Sequence, residues 1–226
     1  MPEKVVMVWS GGKDSTLALH KLLRDPLYQV VALLTTVTRG YERVSMHGVR
    51  YALLQAQTQA IGLPLHTVWI PQQASNDLYE EAMGQALHTL ALQGVRTAAF
   101  GDLFLEDIRT YRERMLARAG WRGLFPLWKI PTPQIAQEFI RLGFKAVLVC
   151  VDTQVLPSTF AGREFDAGLL ADLPPGVDPC GENGEFHTFV YQGPVFQHPV
   201  PFTRGQRLVR ERWAYCDLLP PSEASP

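Results

Sequence analysis

The sequence predicts a doubly wound α/β protein with a smaller α+β region at its C-terminal end. Short apolar runs alternate with helical patterns about every 25 to 35 residues, as in chains that build a parallel sheet. These runs are continuous rather than alternating with polar residues, which is typical of strands buried on both faces. Of the 17 prolines, 13 lie at or after Pro126, and such a change in composition often accompanies a domain boundary.

Four strands are predicted in the first half of the chain, separated by helical segments. The strands are the apolar runs at residues 5–9, 30–37, 65–70 and 95–100. The helices have one apolar side and are expected at residues 15–24, around the stripe Val49, Leu53, Ala56 and Ala60, and at residues 78–93. Because strands and helices alternate, right-handed crossovers should place the strands parallel in one sheet.

The second half of the chain differs in composition from the first, and we place a domain boundary near Lys129. We expect residues 1–129 to form one domain and residues 130–226 a second, smaller one. Thr132 is the expected cap of a helix that ends at Gly143, because Pro133 follows it and Pro is favoured at the first helical position. Strands are expected at residues 145–151 and 186–191, and the tail at residues 221–226 is expected to fray.

The composition excludes several classes of protein. The 21 Lys and Arg residues balance the 22 Asp and Glu residues, so no overall positive charge is available for nucleic acid or an anionic membrane. No apolar run approaches the roughly 18 residues that a membrane span requires. The cysteines fit neither a CxxC pair nor a disulfide framework: they are Cys150, Cys180 and Cys216. We expect a cytoplasmic protein in a reducing compartment. The sequence leaves open whether the protein forms a homo-oligomer.

A phosphate-binding loop is predicted between the first strand and the first helix. It consists of Ser10, Gly11, Gly12, Lys13, Asp14 and Ser15. The two glycines permit a tight turn and a close approach of the backbone to a ligand. The following helix directs unpaired N–H groups and the positive end of its dipole at the loop. The lysine adds a charge and the serines add hydroxyl donors, so the segment indicates an anion site.

Asp14 makes this loop different from a Walker A motif, because a carboxylate follows the lysine and GxxxxGK[ST] is absent. A carboxylate beside a bound phosphate repels it unless a cation lies between them. This predicts that Asp14 helps to hold Mg²⁺. The alternative is an ordinary glycine turn in which Ser15 serves as the helix N-cap.

Further polar residues follow the fourth predicted strand. Asp102 lies at the carboxyl edge of the sheet, where its charge can reach a bound substrate or metal. Arg109 and Arg112 are three residues apart on a predicted helix and can bind phosphate or carboxylate from one face. The alternative is a solvated helix on which Arg109 forms an ion pair with Glu113.

The segment DPCGENGEFHT at residues 178–188 is a predicted turn that leads into a strand. Its two glycines place Glu182 and Glu185 close together on a rigid loop, where they could bind a cationic nucleophile or accept its proton. Cys180 and His187 fit no metal-ligand spacing, and we interpret them as structural residues. A simple hairpin turn is the alternative for the whole segment.

The SGGKDS loop resembles the SGGxDS fingerprint of the PP-loop family, the N-type ATP pyrophosphatases with an adenine nucleotide alpha hydrolase-like fold. The whole set of motifs is similar to the diphthine–ammonia ligase family within that group. It comprises SGGKDS, GDL at residues 101–103, YRER at 111–114, PLW at 126–128 and CGENGEFHTFVYQGPVF at 180–196. The resemblance spans residues 5–196, with one departure: the family often has Glu-Thr where this chain has His187-Thr188.

This resemblance implies a PP-loop domain of the HUP type that cleaves ATP between the α and β phosphates. The implied reactants are ATP with Mg²⁺, ammonia and a carboxylate on a small molecule or a protein side chain. Adenine would lie near residues 33–36, with Thr35 among its contacts. The implied catalytic residues are Lys13, Asp14, Asp102, Glu182 and Glu185, and the implied nucleotide contacts include the loop, Arg109 and Arg112.

Two alternative functions stay open. One is an ATP pyrophosphatase of the nucleobase-thiolation type, against which the absence of CxxC and the near-neutral charge count. The other is a sensor that binds ATP or AMP without turnover. Formation of AMP from ATP separates both enzymes from the sensor.

Overall fold

The structure is a computed structural model that describes residues 1–40, 43–44 and 48–221. Most of the predicted C-terminal tail, at residues 222–226, lies outside these ranges. In chain order, the elements of the first half are β1 (Glu3–Val8), α1 (Lys13–Arg24), β2 (Tyr28–Thr38), β3 (Arg43–Val44), α2 (Tyr51–Ile61), β4 (Leu65–Ile70), α3 (Asn76–Ala91), β5 (Thr97–Ala99), α4 (Glu106–Arg118) and β6 (Arg122–Leu124). Those of the second half are α5 (Thr132–Arg141), β7 (Lys145–Asp152), a 3-10 turn (Ser158–Phe160), α6 (Ala167–Asp172), β8 (Phe186–Gln192), β9 (Thr203–Arg210) and β10 (Trp213–Leu219).

The first sheet confirms the predicted doubly wound α/β fold. Five parallel strands follow the order β4-β2-β1-β5-β6, and β3 adds an antiparallel pair at the end of β2. The chain builds outward from β1 through β2 and β4, and then returns to the other side of β1 with β5 and β6. The strand order therefore reverses between β1 and β5, which is where such sheets bind ligands.

The C-terminal region forms a separate antiparallel sheet in the order β8-β7-β10-β9. The central strand β7 is buried from Ala146 to its end. Helix α5 starts at Thr132 as expected, but Pro131 occupies the N-cap position. Thr132 is therefore the first residue of the helix and not its cap. Its hydroxyl donates a hydrogen bond to Asp178 Oδ2 at 2.5 Å instead of capping the helix.

One hydrophobic core joins the two sheets. It includes Met7 of β1 and Val147 of β7. In the same core, Phe139 of α5 stacks on Phe144, with ring centroids 4.9 Å apart, and meets the Phe165 ring edge-on at 5.6 Å. A second core packs α3 and α4 onto the opposite face of the parallel sheet. Both faces of that sheet are thus covered, which is why its strands are continuously apolar.

Several elements lack a recognisable sequence pattern. β6 has three residues, and β9 is exposed along nearly its whole length, so neither has the apolar run that marks a buried strand. Within the described ranges, no helix is both long and apolar enough to cross a bilayer.

We expect Phe139→Ala to lower the free energy of unfolding by about 3–5 kcal/mol, because it removes a fully buried ring from the core that joins the sheets. Denaturant unfolding of the parent and the variant measures this difference. The control Leu92→Ala truncates a side chain that is 78% exposed and should change stability by no more than about 0.5 kcal/mol. Equal effects of the two variants would contradict a shared core.

Candidate functional site

A cleft of about 430 Å³ lies at the carboxyl ends of β1, β2 and β5, beside the start of β8. Its volume lies within the usual range for small-molecule sites. Nine of the residues singled out from the sequence line it: Ser10, Gly12, Lys13, Asp14, Ser15, Thr35, Asp102, Arg112 and Glu182. Three others, Gly11, Arg109 and Glu185, do not line it.

The loop after β1 is held from behind by a buried glutamine. Gln57 of α2 donates hydrogen bonds to the carbonyl oxygens of Gly11 (2.9 Å) and Val190 (2.6 Å), and its Oε1 accepts one from the Trp9 indole (3.2 Å). Gly11 has φ +76°, and a Cβ there would lie 2.5 Å from Gln57 Oε1, so only glycine fits. The sequence signal for Gln57 was its position four residues after Leu53, on the apolar side of α2.

Helix α1 begins at Lys13, with Gly12 in the N-cap position. The interpretation of Ser15 as an ordinary N-cap is therefore wrong: its hydroxyl donates to the Gly12 carbonyl at 3.0 Å and lies 3.1 Å from the Ser10 hydroxyl. Because Gly12 has no side chain, it offers no cap to the N–H groups of the first turn. Thr188 Oγ1 of β8 accepts from the Lys13 N–H at 3.0 Å, which ties the helix start to the second sheet.

Lys13 connects the loop to the turn before β8. Its ammonium group lies 2.7 Å from Asp14 Oδ2 and donates a hydrogen bond to the carbonyl oxygen of Cys180. The rings of Phe165 and Phe186 lie beside it, with centroids 5.8 and 5.5 Å away. Burial alone would lower the pKa of Lys13, but the Asp14 carboxylate raises it above its ordinary value. Lys13 thus stays a cation although it is 3% exposed.

The segment after β5 packs directly against the start of α1. A Cβ on Gly101 would lie 2.7 Å from the backbone nitrogen of Ser15, so the close approach requires glycine. The approach brings Asp102 to the cleft. Its carboxylate pairs with Arg112 of α4, whose Nε lies 2.7 Å from Oδ2 and whose Nη2 donates to Oδ1 at 3.1 Å. Burial raises the pKa of Asp102, and the positive charge of Arg112 offsets part of this rise.

Arg109 and Arg112 have different surroundings. The guanidinium of Arg109 lies over the rings of Phe125 and Trp128, at 4.6 and 4.7 Å, and its Nε forms an ion pair with Glu113 at 2.8 Å. The sequence analysis gave this ion pair as the alternative to phosphate or carboxylate binding by Arg109. Of the two arginines, Arg112 faces the cleft.

The two glutamates of the turn also differ. Glu182 lines the cleft, and its Oε1 accepts from the backbone N–H of Leu103 at 2.8 Å. Burial raises the pKa of Glu182 to about 7, an effect that the nearby carboxylates Asp14 and Asp102 reinforce. Glu185 points into the turn itself, where its oxygens accept from backbone N–H groups. The turn is not a simple hairpin, because residues 153–185 separate β7 from β8.

Cys180 and His187 both line the cleft and are largely enclosed by protein. The Cys180 thiol is 1% exposed and donates to the Thr132 carbonyl at 3.3 Å, and burial raises its pKa. His187 reaches the cleft wall, where burial lowers its pKa to about 4 and so keeps the ring neutral at pH 7. Within the described part of the chain, no group of three or more His, Cys, Asp or Glu residues could hold a metal ion.

Sequence reasoning missed residues on the far wall of the cleft. Tyr79 and Met83, one helical turn apart on α3, line it with Phe100, beside Leu34 of the predicted adenine region at residues 33–36. No local signal marks Tyr79 or Met83, because nothing in the sequence distinguishes a side chain that faces a cleft from one that faces the core.

These features define a PP-loop-like α/β protein, with a glycine loop and helix N-terminus at the switch point of its parallel sheet. The sequence matches two family models, the diphthamide synthase N-terminal domain over residues 3–123 and the diphthamide synthase C-terminal domain over residues 131–222. The chain belongs to the diphthamide synthase family.

Curated relatives named diphthine–ammonia ligase are similar along most of the chain. The Schizosaccharomyces pombe protein is 25% identical over 95% of this chain, which spans only 38% of that protein. The Mus musculus protein is 22% identical over 95% of this chain and 88% of its own length. Among solved structures, a predicted tRNA methyltransferase subunit from Methanocaldococcus jannaschii gives a TM-score of 0.43 at 16% identity, covering 65% of this chain and 80% of that one.

We expect Glu182→Gln to stabilise the protein more at pH 8 than at pH 5. The raised pKa means that the folded protein holds a proton at Glu182 that the unfolded chain, at the ordinary value of 4.5, releases. Stability from this group is therefore lost as the pH rises from about 4.5 to 7, and glutamine removes that loss. Each kcal/mol should move the melting temperature by about 2–4 °C. Melting curves of parent and variant that differ equally at both pH values would contradict this assignment.

Proposed function

We propose that this protein is an ATP-dependent ligase that adenylates a carboxylate and then transfers ammonia to it, releasing pyrophosphate and AMP. The observation that carries the proposal is that the SGGKDS loop and Glu182 line one cleft, joined by the contact of Lys13 with the Cys180 carbonyl. Membership of the diphthamide synthase family and the names of the relatives support the same reaction class.

We expect ATP to bind in one orientation, set by the lining of the cleft. The departing phosphates would rest against the loop and the start of α1, where the helix dipole and the Lys13 ammonium favour negative charge. The Ser10 and Ser15 hydroxyls already bond each other and the Gly12 carbonyl, so each would exchange that partner on binding phosphate. The base would lie towards the apolar wall formed by Leu34, Met83 and Phe100, with Thr35 at its edge. Arg112 is the arginine placed to reach a substrate, whereas Arg109 would act only through the packing of α4.

The residues present also fit Mg²⁺ brought in with the nucleotide. Asp14 helps to raise the pKa of Asp102, and both carboxylates help to raise that of Glu182, so acidic groups are concentrated at this part of the cleft. Asp14 is the residue that would hold the ion. The ion's other ligands would be phosphate oxygens and water, as is usual for Mg²⁺. When bound, Mg²⁺ supplies positive charge that screens the phosphates from the attacking carboxylate.

In the first step, an oxygen of the substrate carboxylate attacks the α phosphorus, and the bond from that phosphorus to the β-bridging oxygen breaks. Charge then builds on pyrophosphate beside the loop N–H groups and the buried charge of Lys13. A preorganised donor at such a position is worth about 3–4 kcal/mol of barrier. The acyl adenylate is the more reactive species, since AMP is a far better leaving group than oxide.

In the second step, ammonia attacks the acyl carbon and the bond to AMP breaks, which leaves an amide and one proton to remove. Glu182 is suited to accept that proton, because its pKa of about 7 lies near working pH and its carboxylate faces the cleft. Glu185 is less suited, since both of its oxygens already accept hydrogen bonds within the turn. Diphthine is the first acceptor to test, because the relatives are named for it.

We expect Lys13→Ala and Asp14→Ala each to lower AMP formation by about 10²- to 10³-fold. Lys13→Ala removes positive charge beside the departing pyrophosphate, and Asp14→Ala removes the carboxylate proposed to hold Mg²⁺. The assay supplies α-labelled ATP, Mg²⁺, ammonium chloride and diphthine, and measures labelled AMP. The control Lys21→Ala removes a lysine of the same helix that is bound to Glu138 at 3.1 Å instead of facing the cleft. It should keep the parental rate.

The same assay separates the proposal from its rivals. Unchanged turnover in both loop variants would overturn the proposed role of the loop. Tight ATP binding without AMP under any tested condition would favour a nucleotide sensor. AMP formation that needs a sulfur donor instead of ammonia would favour thiolation chemistry.

A further inference from the structure

The turn that carries Glu182 is held by an aspartate outside the cleft lining. Asp178 Oδ1 accepts hydrogen bonds from the backbone N–H groups of Cys180, at 2.8 Å, and Glu182, at 3.2 Å. Asp178 Oδ2 accepts from the Thr132 hydroxyl at 2.5 Å, which anchors the aspartate to the start of α5. One carboxylate thus joins a rigid helix to two backbone positions of the turn.

These two positions line the cleft and connect the turn to the first sheet. The carbonyl of Cys180 accepts the hydrogen bond from Lys13, and the side chain of Glu182 extends to the Leu103 N–H at 2.8 Å. The residue between them, Gly181, has φ +69°. A glycine-containing turn restricts its own backbone weakly, so an outside acceptor is needed to hold it in one conformation.

We propose that Asp178 is the positioning residue of Glu182, and that it sets the distance between the Glu182 carboxylate and the phosphate loop by holding the backbone of the turn. The proposal rests on the proposed function, in which Glu182 accepts a proton from the attacking ammonia. It gives Asp178 a role in the ammonia step without any contact with a reacting atom.

Asp178 acts on Glu182 through hydrogen-bond geometry, whereas its charge acts on Asp14, where it adds to the effect of burial in raising the pKa. The charged groups that act most strongly on Glu182 are Lys13 and Asp14 of α1 and Asp102 after β5. All that Asp178 must offer the turn is one oxygen that accepts two N–H groups. Asparagine can supply that oxygen, and its NH₂ group can donate to the Thr132 hydroxyl.

Glu185 gives the contrasting case on the same turn. Its Oε1 accepts from the Asp178 N–H and the Asn183 side-chain amide, and its Oε2 accepts from the Asn183 N–H, each at 3.0 Å. Both oxygens therefore face N–H groups. Glutamine must direct an NH₂ group at one of these donors, so Glu185→Gln should disturb a turn that Asp178→Asn leaves intact.

The test compares Asp178→Asn, Asp178→Ala and Glu185→Gln in the full chain. Asp166→Ala is the matched control, because Asp166 also accepts a backbone N–H, that of Leu169 at 2.8 Å, but lies outside the cleft lining. Three quantities are measured: amide hydrogen exchange at residues 180–182, the dissociation constant of α,β-methylene-ATP, and the rate of AMP formation with ammonium chloride and diphthine.

Asp178→Ala should speed exchange at Cys180 and Glu182 about tenfold, since each N–H loses its acceptor. It should lower kcat on the order of 100-fold by displacing Glu182, while nucleotide affinity stays within about threefold. Asp178→Asn should stay within about threefold of the parent in all three quantities, and Asp166→Ala should keep the parental kcat. If Asp178→Ala does not fold, Thr132→Val, which removes one anchor, should lower kcat by about threefold to tenfold.

Three results would overturn the proposal: parental exchange and kcat in Asp178→Ala, an equal loss in Asp178→Asn and Asp178→Ala, or a loss of nucleotide affinity that matches the loss of kcat. If the parent forms no AMP, the proposed function fails on its own. Hydrogen exchange then decides the positioning role, because fast exchange in the alanine variant with slow exchange in the asparagine variant supports it, and equal exchange refutes it.

Discussion

The buried ammonium group of Lys13 is the interaction on which the cleft depends. It lies between the Asp14 carboxylate, the Cys180 carbonyl and two aromatic rings, and so joins the loop of the first sheet to the turn of the second. A cation in this position would be costly without these partners. The buried Lys13 cation therefore depends on both the Asp14 carboxylate and the conformation of the turn. In the proposed function, a nucleotide that contacts Lys13 would also affect the turn.

Hydrogen bonds between uncharged groups also connect the two sheets. Gln57 binds the carbonyls of Gly11 and Val190, and Thr188 accepts the first N–H of α1. The core beneath them is continuous from Met7 to Val147. The distance between the loop and the turn is thus set by buried hydrogen bonds and close packing, which tolerate little displacement. The proposed function needs such rigidity, because the nucleotide and the base would have to be held in fixed positions relative to each other.

Placing several carboxyl groups close together in the cleft raises the free energy of ionising them, as is common at catalytic sites. Asp102 and Glu182 have raised pKa values because burial and like charges both disfavour ionisation. The hydrogen bond from Leu103 N–H and the pairing with Arg112 offset part of this cost. Shifted carboxyl pKa values are common at catalytic sites, which supports the proposal that Glu182 accepts a proton near neutral pH.

The sequence by itself determined the parallel sheet, the loop at its switch point and the turn before β8, because apolar period and glycine conformation are local properties of the chain. It could not decide which charged residues share the cleft. Arg112 faces the cleft while Arg109 packs on Phe125, and Glu182 extends into the cleft while Glu185 folds back into its own turn. These outcomes depend on partners such as Lys13 and Cys180, which are 167 residues apart, and only tertiary packing brings such groups together. For the same reason the roles of Gln57 and Asp178 emerge only from the folded chain.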